Sequence, residues 1–560
     1  MGSEKINKRR VSMSRWFARV LLWFLPLSFL IISFFLPLSK ILLLTFNPST
    51  LTPENLRVAN TVLRFTLYQA ILSTLLSILL GLPSAYLFVR FNFAGKSILR
   101  TLTAVPFMLP TVVVAAGFSA LLGPRGLLHV FFPLTSFQFV GSLSAILIAH
   151  VFYNTTIIIR IVGNALSSLD PQLEAAARSL GADSFRVWWN LIFPLLRPSI
   201  LASALLVFLF DFTSFGVILL LGGSQFSTLE VEIYFQVVRQ LKLPLAALLS
   251  VIQLICTLLF SILYSHFASR STTPIRPRSS EEEVREPKTL REKFFVTTLG
   301  LLLSAFFILP LASLPIRSLF RFEADRGQRA DVQYGFTTDY YTELFVNRRG
   351  SVFYVPPIRA TLNSLGYAGA TVILSLLLGF PAAIALAKPA RLEKILDPLI
   401  MLPLGSSAVM LGLGFIITFG KWLTSPLLVP FAHTLVALPF VIRTLQPAIA
   451  SIPERLRQAA SSLGASPLEV WRNIDFPILR RATLAAATFA FTISLGEFGA
   501  TLLISRPEYP TIPVAIDRFL SQPGGLNYGQ AMAMATILMV LTTASILIIE
   551  KFRLPNTGEF

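Results

Sequence analysis

Long apolar runs alternate with short polar, basic stretches along the whole chain. A helix needs about 20 apolar residues to cross the hydrocarbon of a bilayer. Twelve runs qualify, at roughly 20–44, 61–89, 101–122, 138–163, 198–221 and 244–267, then 294–318, 360–387, 396–419, 427–449, 481–504 and 528–550. Their lipid-facing and buried sides are both apolar, so periodicity does not resolve the faces. The pattern predicts an all-α, polytopic membrane protein of about twelve transmembrane helices.

Composition narrows the class. Of the 560 residues 54% are hydrophobic and 13% charged, against about 25% charged in an ordinary soluble domain. So few charges cannot cover a soluble surface. The net charge of +19 would suggest nucleic acid in a soluble protein. In a membrane protein it reflects Lys and Arg gathered in inner loops facing anionic lipid, and no nucleic-acid partner is expected. The predicted inner loops carry Arg90, Lys96, Arg100, Arg178, Arg186 and Arg197, then Lys388, Arg391, Lys394, Arg455, Arg457, Arg472 and Arg480. Both termini are therefore expected in the cytoplasm. Lys5, Lys8, Arg9, Arg10, Arg15 and Arg19 precede a first run too long for the core of a signal peptide. A single cysteine, Cys256, excludes an internal disulfide and a Cys-based zinc cluster.

The polar, proline-containing stretch 268–293 reads as a cytoplasmic linker. It separates a first repeat, 1–267, from a second, 294–560. Gly81-Leu82-Pro83 matches Gly379-Phe380-Pro381, and Pro106 matches Pro403. His150, Arg160, Gly181, Pro194 and Gly216 match His433, Arg443, Gly464, Pro477 and Gly499 at a constant offset of 283. Six spans per half make the repeats parallel, and a pathway is expected on the axis between them.

Each half has one large inner loop with the same text: AAARSLGADSFRVWWNLIFPLLRPS from Ala175 and QAASSLGASPLEVWRNIDFPILRRA from Gln458. Two alanines precede a glycine, and a proline follows that glycine by thirteen residues. Asp170-Pro171 and Pro453-Glu454 open short amphipathic helices. Alanines allow close approach to another protein, and Gly181 and Gly464 allow a turn.

These loops resemble the Glu-Ala-Ala loop of binding-protein-dependent ABC importer permeases. The resemblance implies the type I ABC importer permease fold. It makes Glu174, Ala175, Ala176 and Gly181, with Gln458, Ala459, Ala460 and Gly464, the coupling residues. It further implies two ABC ATPase subunits on the cytoplasmic side, an extracytoplasmic solute-binding protein and one copy of this chain as the whole pathway, in a bacterial inner membrane. The family's glutamate position holds Ala175 and Gln458, with Glu174 one residue early. The outer segments LLLGGSQFSTLEVEIYFQ and LLISRPEYPTIPVAIDRF are similar to fused permeases of the thiamine and ferric-iron branch.

The fragment Gly95-Lys96-Ser97 is no P-loop, since Arg90 stands where the first glycine is needed. The chain is thus expected to bind no cofactor, with ATP and Mg on the partner ATPase, and to be no enzyme. Asp211 and Glu497 lie inside equivalent spans, where carboxylates are costly. Glu497 aligns with Ser214, one turn after Asp211. Both acids, with Asn154 and Ser214, are expected to line a shared cavity for a cationic solute. The competing reading is an ion-coupled secondary transporter with two six-helix halves, which has no use for paired coupling loops.

Overall fold

A computed structural model describes residues 21–132, 138–223, 225–271, 285–322, 335–347, 355–423 and 425–552. The basic residues before the first helix lie outside these, as does half of the expected linker. Among the described residues eleven helices are long and apolar enough to cross a membrane, or twelve if one sharply bent pair is a single span.

Ten principal helices build each half. In the first they are α1 (Leu21–Thr45), α2 (Pro53–Arg90), α3 (Lys96–Met108), α4 (Thr111–Leu122) and α5 (Leu143–Ser167), then α6 (Pro171–Ser179), α7 (Phe193–Phe212), α8 (Gly216–Leu221), α9 (Leu229–Val238) and α10 (Leu243–Ser271). In the second they are α11 (Leu290–Leu319), α12 (Arg359–Ala387), α13 (Arg391–Gly405), α14 (Ala408–Phe419) and α15 (Leu428–Ala450), then α16 (Glu454–Ser462), α17 (Phe476–Gly496), α18 (Gly499–Ile504), α19 (Ile512–Leu520) and α20 (Gly525–Phe552). The repeat is thus visible helix by helix. A two-stranded ribbon, β1 (Phe320–Arg321) with β2 (Gly335–Phe336), follows α11.

Two expected spans in each half are broken. The run 101–122 divides between α3 and α4, and 396–419 between α13 and α14, which bend by 97°. Proline lacks the N–H that would continue the ladder. Pro106 and Pro403 lie near the ends of α3 and α13, and Pro110 and Ser407 start the next helices. The Ser407 hydroxyl accepts from Met410 N at 3.0 Å and so caps α14. The run 198–221 breaks between Phe212 and Gly216, and 481–504 between Gly496 and Gly499. Short helices α9 and α19 then occupy stretches expected to be outer loop.

The expected linker is narrower than 268–293. Helix α10 reaches Ser271, and α11 starts at Leu290 behind a capping box of Thr289 and Glu292. Between them, Arg285 pairs its backbone with Arg90 and Asn92 of the first half. Its guanidinium lies 5.3 Å from the centre of the Phe91 ring and 2.6 Å from Glu292.

The first helices are exchanged between halves. Helix α1 packs on the second half: Trp23 Nε1 donates to Glu393 Oε1 at 3.4 Å, and Phe29 meets Phe431 edge-on at 6.1 Å. Helix α11 packs on the first half: Ser313 Oγ donates to Gly117 O at 2.9 Å, and the Phe307 ring lies 5.3 Å from Phe152. Equivalent glycines make both approaches possible. A Cβ on Gly414 would lie 2.8 Å from Pro37, and one on Gly117 2.7 Å from the Pro310 carbonyl. Small residues let transmembrane helices come together in this way.

Candidate coupling surface and central pathway

Helices α6 and α16 follow equivalent spans and end identically. Gly181 N donates to Arg178 O at 2.9 Å and Ala182 N to Ala177 O at 3.1 Å. Gly464 N donates to Ser461 O at 3.1 Å and Ala465 N to Ala460 O at 3.0 Å. This bond pair reverses the chain after a helix and needs a left-handed residue. The glycines supply it at φ +85° and +86°.

The faces these helices present are open. Ala175, Ala176, Gln458 and Ala459 are exposed, and Ala460 is half-buried. Leu180 is 89% exposed and its equivalent Leu463 88%. Leu173 and Leu456, and Phe185 and Leu468, repeat the arrangement. Singly exposed apolar residues are ordinary; here matched sets surround two identical turns. Each helix is tied to its own half by charge. Glu174 bonds Arg90 at the end of α2, and Glu454 bonds Lys388, the equivalent residue at the end of α12. Lys388 holds the Glu454 carboxyl below its ordinary range. Arg457, which replaces Glu174 in the repeat, turns instead to Asp475 at 2.8 Å.

After each coupling helix comes a short helix and then a π-helical turn, Trp188–Ile192 and Trp471–Asp475. Helices α7 and α17 rise from these turns to the breaks where the halves meet. There Phe215 and its equivalent Phe498 lie ring to ring, centroids 5.5 Å apart, both buried. Tyr234 of α9 joins them, 5.7 Å from Phe215.

The acids expected in an open cavity are instead enclosed. Asp211 is 0% exposed and Glu497 7%. Each faces its own half. Asn154 Nδ2 donates to Asp211 Oδ1 at 2.7 Å, and His150 Nδ1 lies 3.3 Å from the same oxygen. Ser214 Oγ lies 2.9 Å from His150 Nε2. Glu497 accepts from Ala500 N at 2.8 Å and Thr501 N at 3.0 Å, which caps α18 across the break. The structure thus brings Asn154, Asp211 and Ser214 together, and Glu497 apart from them. Neither acid faces lipid.

Three buried acids among the described residues escaped the sequence reading, Glu230, Glu393 and Asp475. Glu230, placed there in an outer loop, sits on α9 with 2% exposure. It accepts from Gln253 Nε2 at 2.6 Å and, across the interface between halves, from Ser407 Oγ at 2.7 Å. The one available signal was its place in the apolar text STLEVEIYF.

Gly95-Lys96-Ser97 opens α3 with no strand before it, so its geometry is not that of a P-loop. Among the described residues no group of three or more His, Cys, Asp or Glu is placed to hold a metal.

Comparison with known proteins agrees with this arrangement. The thiamine transport system permease protein ThiP of Brucella suis biovar 1 is 29% identical over 502 residues, spanning 88% of this chain and 87% of its own. ThiP of Escherichia coli K12 is 26% identical, spanning 88% of each. The ferric transport system permease protein FbpB of Actinobacillus pleuropneumoniae is 27% identical, spanning 90% of this chain and 72% of its own. The pattern of the binding-protein-dependent transport system inner membrane component occurs twice, over residues 77–273 and 375–553. Both copies include a coupling helix and a broken fifth span, and the chain belongs to that family.

Proposed function

We propose that this chain, as the membrane-spanning permease of an ATP-binding-cassette importer, forms a complete pathway for a small cationic solute. Thiamine is the first candidate and ferric iron the second. The observation that carries the choice is the meeting of buried acids with aromatic rings between the halves. Glu230 accepts from Ser407 across the halves, and Phe215, Phe498 and Tyr234 meet at the same interface. Carboxylates favour a cation, and ring faces favour a flat organic one over a hydrated metal ion. Asp211, Ser214 and Asn154 stand behind this lining and support it.

Two ATPase subunits would dock on α6 and α16, and a solute-binding protein would deliver from the opposite face. ATP and Mg belong to the ATPase in this reading, the chain contributing no cofactor. One copy supplies both halves of the pathway, with its termini in the cytoplasm. The test is uptake by vesicles holding the chain, its ATPase and its binding protein. ATP-dependent accumulation of labelled thiamine is expected. Accumulation of ferric iron with no response to thiamine would reverse the order, and uptake of neither would defeat the cationic reading.

A further inference from the structure

Each half buries one histidine beside the break in its fifth span. His150 Nδ1 lies 3.0 Å from Ser73 Oγ and 3.3 Å from Asp211 Oδ1, and its Nε2 lies 2.9 Å from Ser214 Oγ. His433 Nδ1 lies 2.7 Å from Ser494 Oγ, which itself is 3.3 Å from Thr371 Oγ1. Its Nε2 lies 2.7 Å from Thr501 Oγ1 and 3.3 Å from Glu497 Oε2. By the repeat, Ser73 corresponds to Thr371, Asp211 to Ser494 and Ser214 to Glu497. The two networks share these positions with acid and serine exchanged around the ring, while Asn154 and Thr501 have apolar counterparts, Ala437 and Ile218.

The exchange fixes where each ring carries its hydrogen. A neutral imidazole has one donor and one acceptor nitrogen. Asp211 Oδ1 accepts from Asn154 and lies 3.3 Å from His150 Nδ1, and the Ser73 hydroxyl 3.0 Å from the same nitrogen can accept as well, so a hydrogen on Nδ1 suits both neighbours. His150 Nε2 then accepts from the Ser214 hydroxyl. Glu497 Oε2 already accepts from Thr501 N. His433 Nε2 must therefore be the donor, and Nδ1 accepts from Ser494. Partners on one nitrogen set the tautomer at the other.

Ser214 and Glu497 lie in the breaks themselves, one residue before Phe215 and Phe498, while the histidines stand on α5 and α15. We propose that His150 and His433 are positioning residues that pin the two breaks beneath the Phe215–Phe498 contact, as opposite neutral tautomers, each set by an acid supplied from a different place. A break cannot move against α5 or α15 without parting these bonds. Motion entering through the coupling helices thus reaches the ring pair as a discrete step.

Two experiments test this. Of the four histidines, His129 and His266 are exposed and outside the network. With His129→Asn and His266→Asn, the full chain in lipid is labelled with ¹⁵N-histidine and examined by solid-state magnetic resonance. Two neutral rings are expected, one protonated at Nδ1 and one at Nε2. A shared tautomer, or an imidazolium, would overturn the proposal. The second experiment transposes the acid. Asp211→Ser should lower the maximal uptake rate at least tenfold with half-saturation unchanged. Adding Ser214→Glu, which copies the second half, should restore the rate to within threefold. A double variant no faster than Asp211→Ser, at equal copurification with the ATPase, would also overturn it. The uptake arm rests on the proposed function and the resonance arm does not, so failure of one reading is separable from failure of the other.

Discussion

At Gly181 and Gly464 the backbone occupies the left-handed region with nothing within 4 Å of an added Cβ. A side chain there meets no neighbour of its own chain, and its cost is conformational, roughly 1–2 kcal/mol. Asparagine tolerates this region and a β-branched residue does not. Gly181→Val with Gly464→Val should abolish uptake and ATPase copurification while the chain still inserts, and the Asn pair should keep most uptake. Equal uptake by both pairs would show that the turns are not needed for docking. The sequence displayed these glycines because two copies of one pattern stood at one offset. It also displayed Asp211, Glu497 and Asn154, since polar groups in apolar runs are conspicuous. It did not display their partners. Whether Asp211 meets His150 or a cavity depends on how helices distant in sequence rotate, and apolar runs carry no mark of that.

The coupling helices are attached lightly among the elements. No residue of α16 is buried, and its one acid in the first turn bonds Lys388 as Glu174 bonds Arg90. The half-two acid stands one turn earlier, with Arg457 at the position equivalent to Glu174. Leu180 and Leu463 should therefore contribute more to docking than either acid. Leu180→Glu with Leu463→Glu should reduce ATPase copurification at least tenfold, and Arg90→Gln less than threefold, measured on detergent-purified complexes. The twelve spans were legible because hydrocarbon demands about 20 apolar residues. The breaks after Met108, Phe212, Gly405 and Gly496 were not. A short apolar helix continues the hydropathy of its neighbour even where the axis turns by 97°. The proline at 106 and its match at 403 hinted at two of the four.

In the whole molecule, Phe215 and Phe498 join the two breaks across the interface between halves. Such pairs contribute about 0.5–1.5 kcal/mol beyond the area they bury. Phe215→Ala should thus shift the balance away from the arrangement in which these rings meet by roughly twofold to tenfold. Higher ATP hydrolysis without the solute-binding protein is the expected reading. An unchanged basal rate would place the restraint elsewhere. The duplication was legible in the sequence, and so was its parallel sense. The exchange of first helices was not, because α1 is apolar on every side and any groove of small residues would receive it. It follows that the halves are structural partners rather than separate units. Co-expressed pieces cut near Ser280, outside the described residues, should reassemble into an active permease. Either piece made alone should be degraded, which immunoblots of membranes will show.

The crossing of α1 into the second half also sets a timetable for synthesis. Its seat is built from α10 of its own half and from α14 and α15, the last of which ends about 400 residues after α1 leaves the ribosome. At translation speeds of about 5–20 residues per second, the earliest helix waits roughly 20–80 s in the bilayer before its binding groove is complete. Helix α11 waits less, since its groove on α4 and α5 is already made and only α20, which also packs on it, is still to come. The amino-terminal segment is thus the first part of the protein to enter the membrane and among the last to reach its final place. A premature stop anywhere before α15 leaves that helix as a stranded fragment, an accessible degradation signal for membrane quality control.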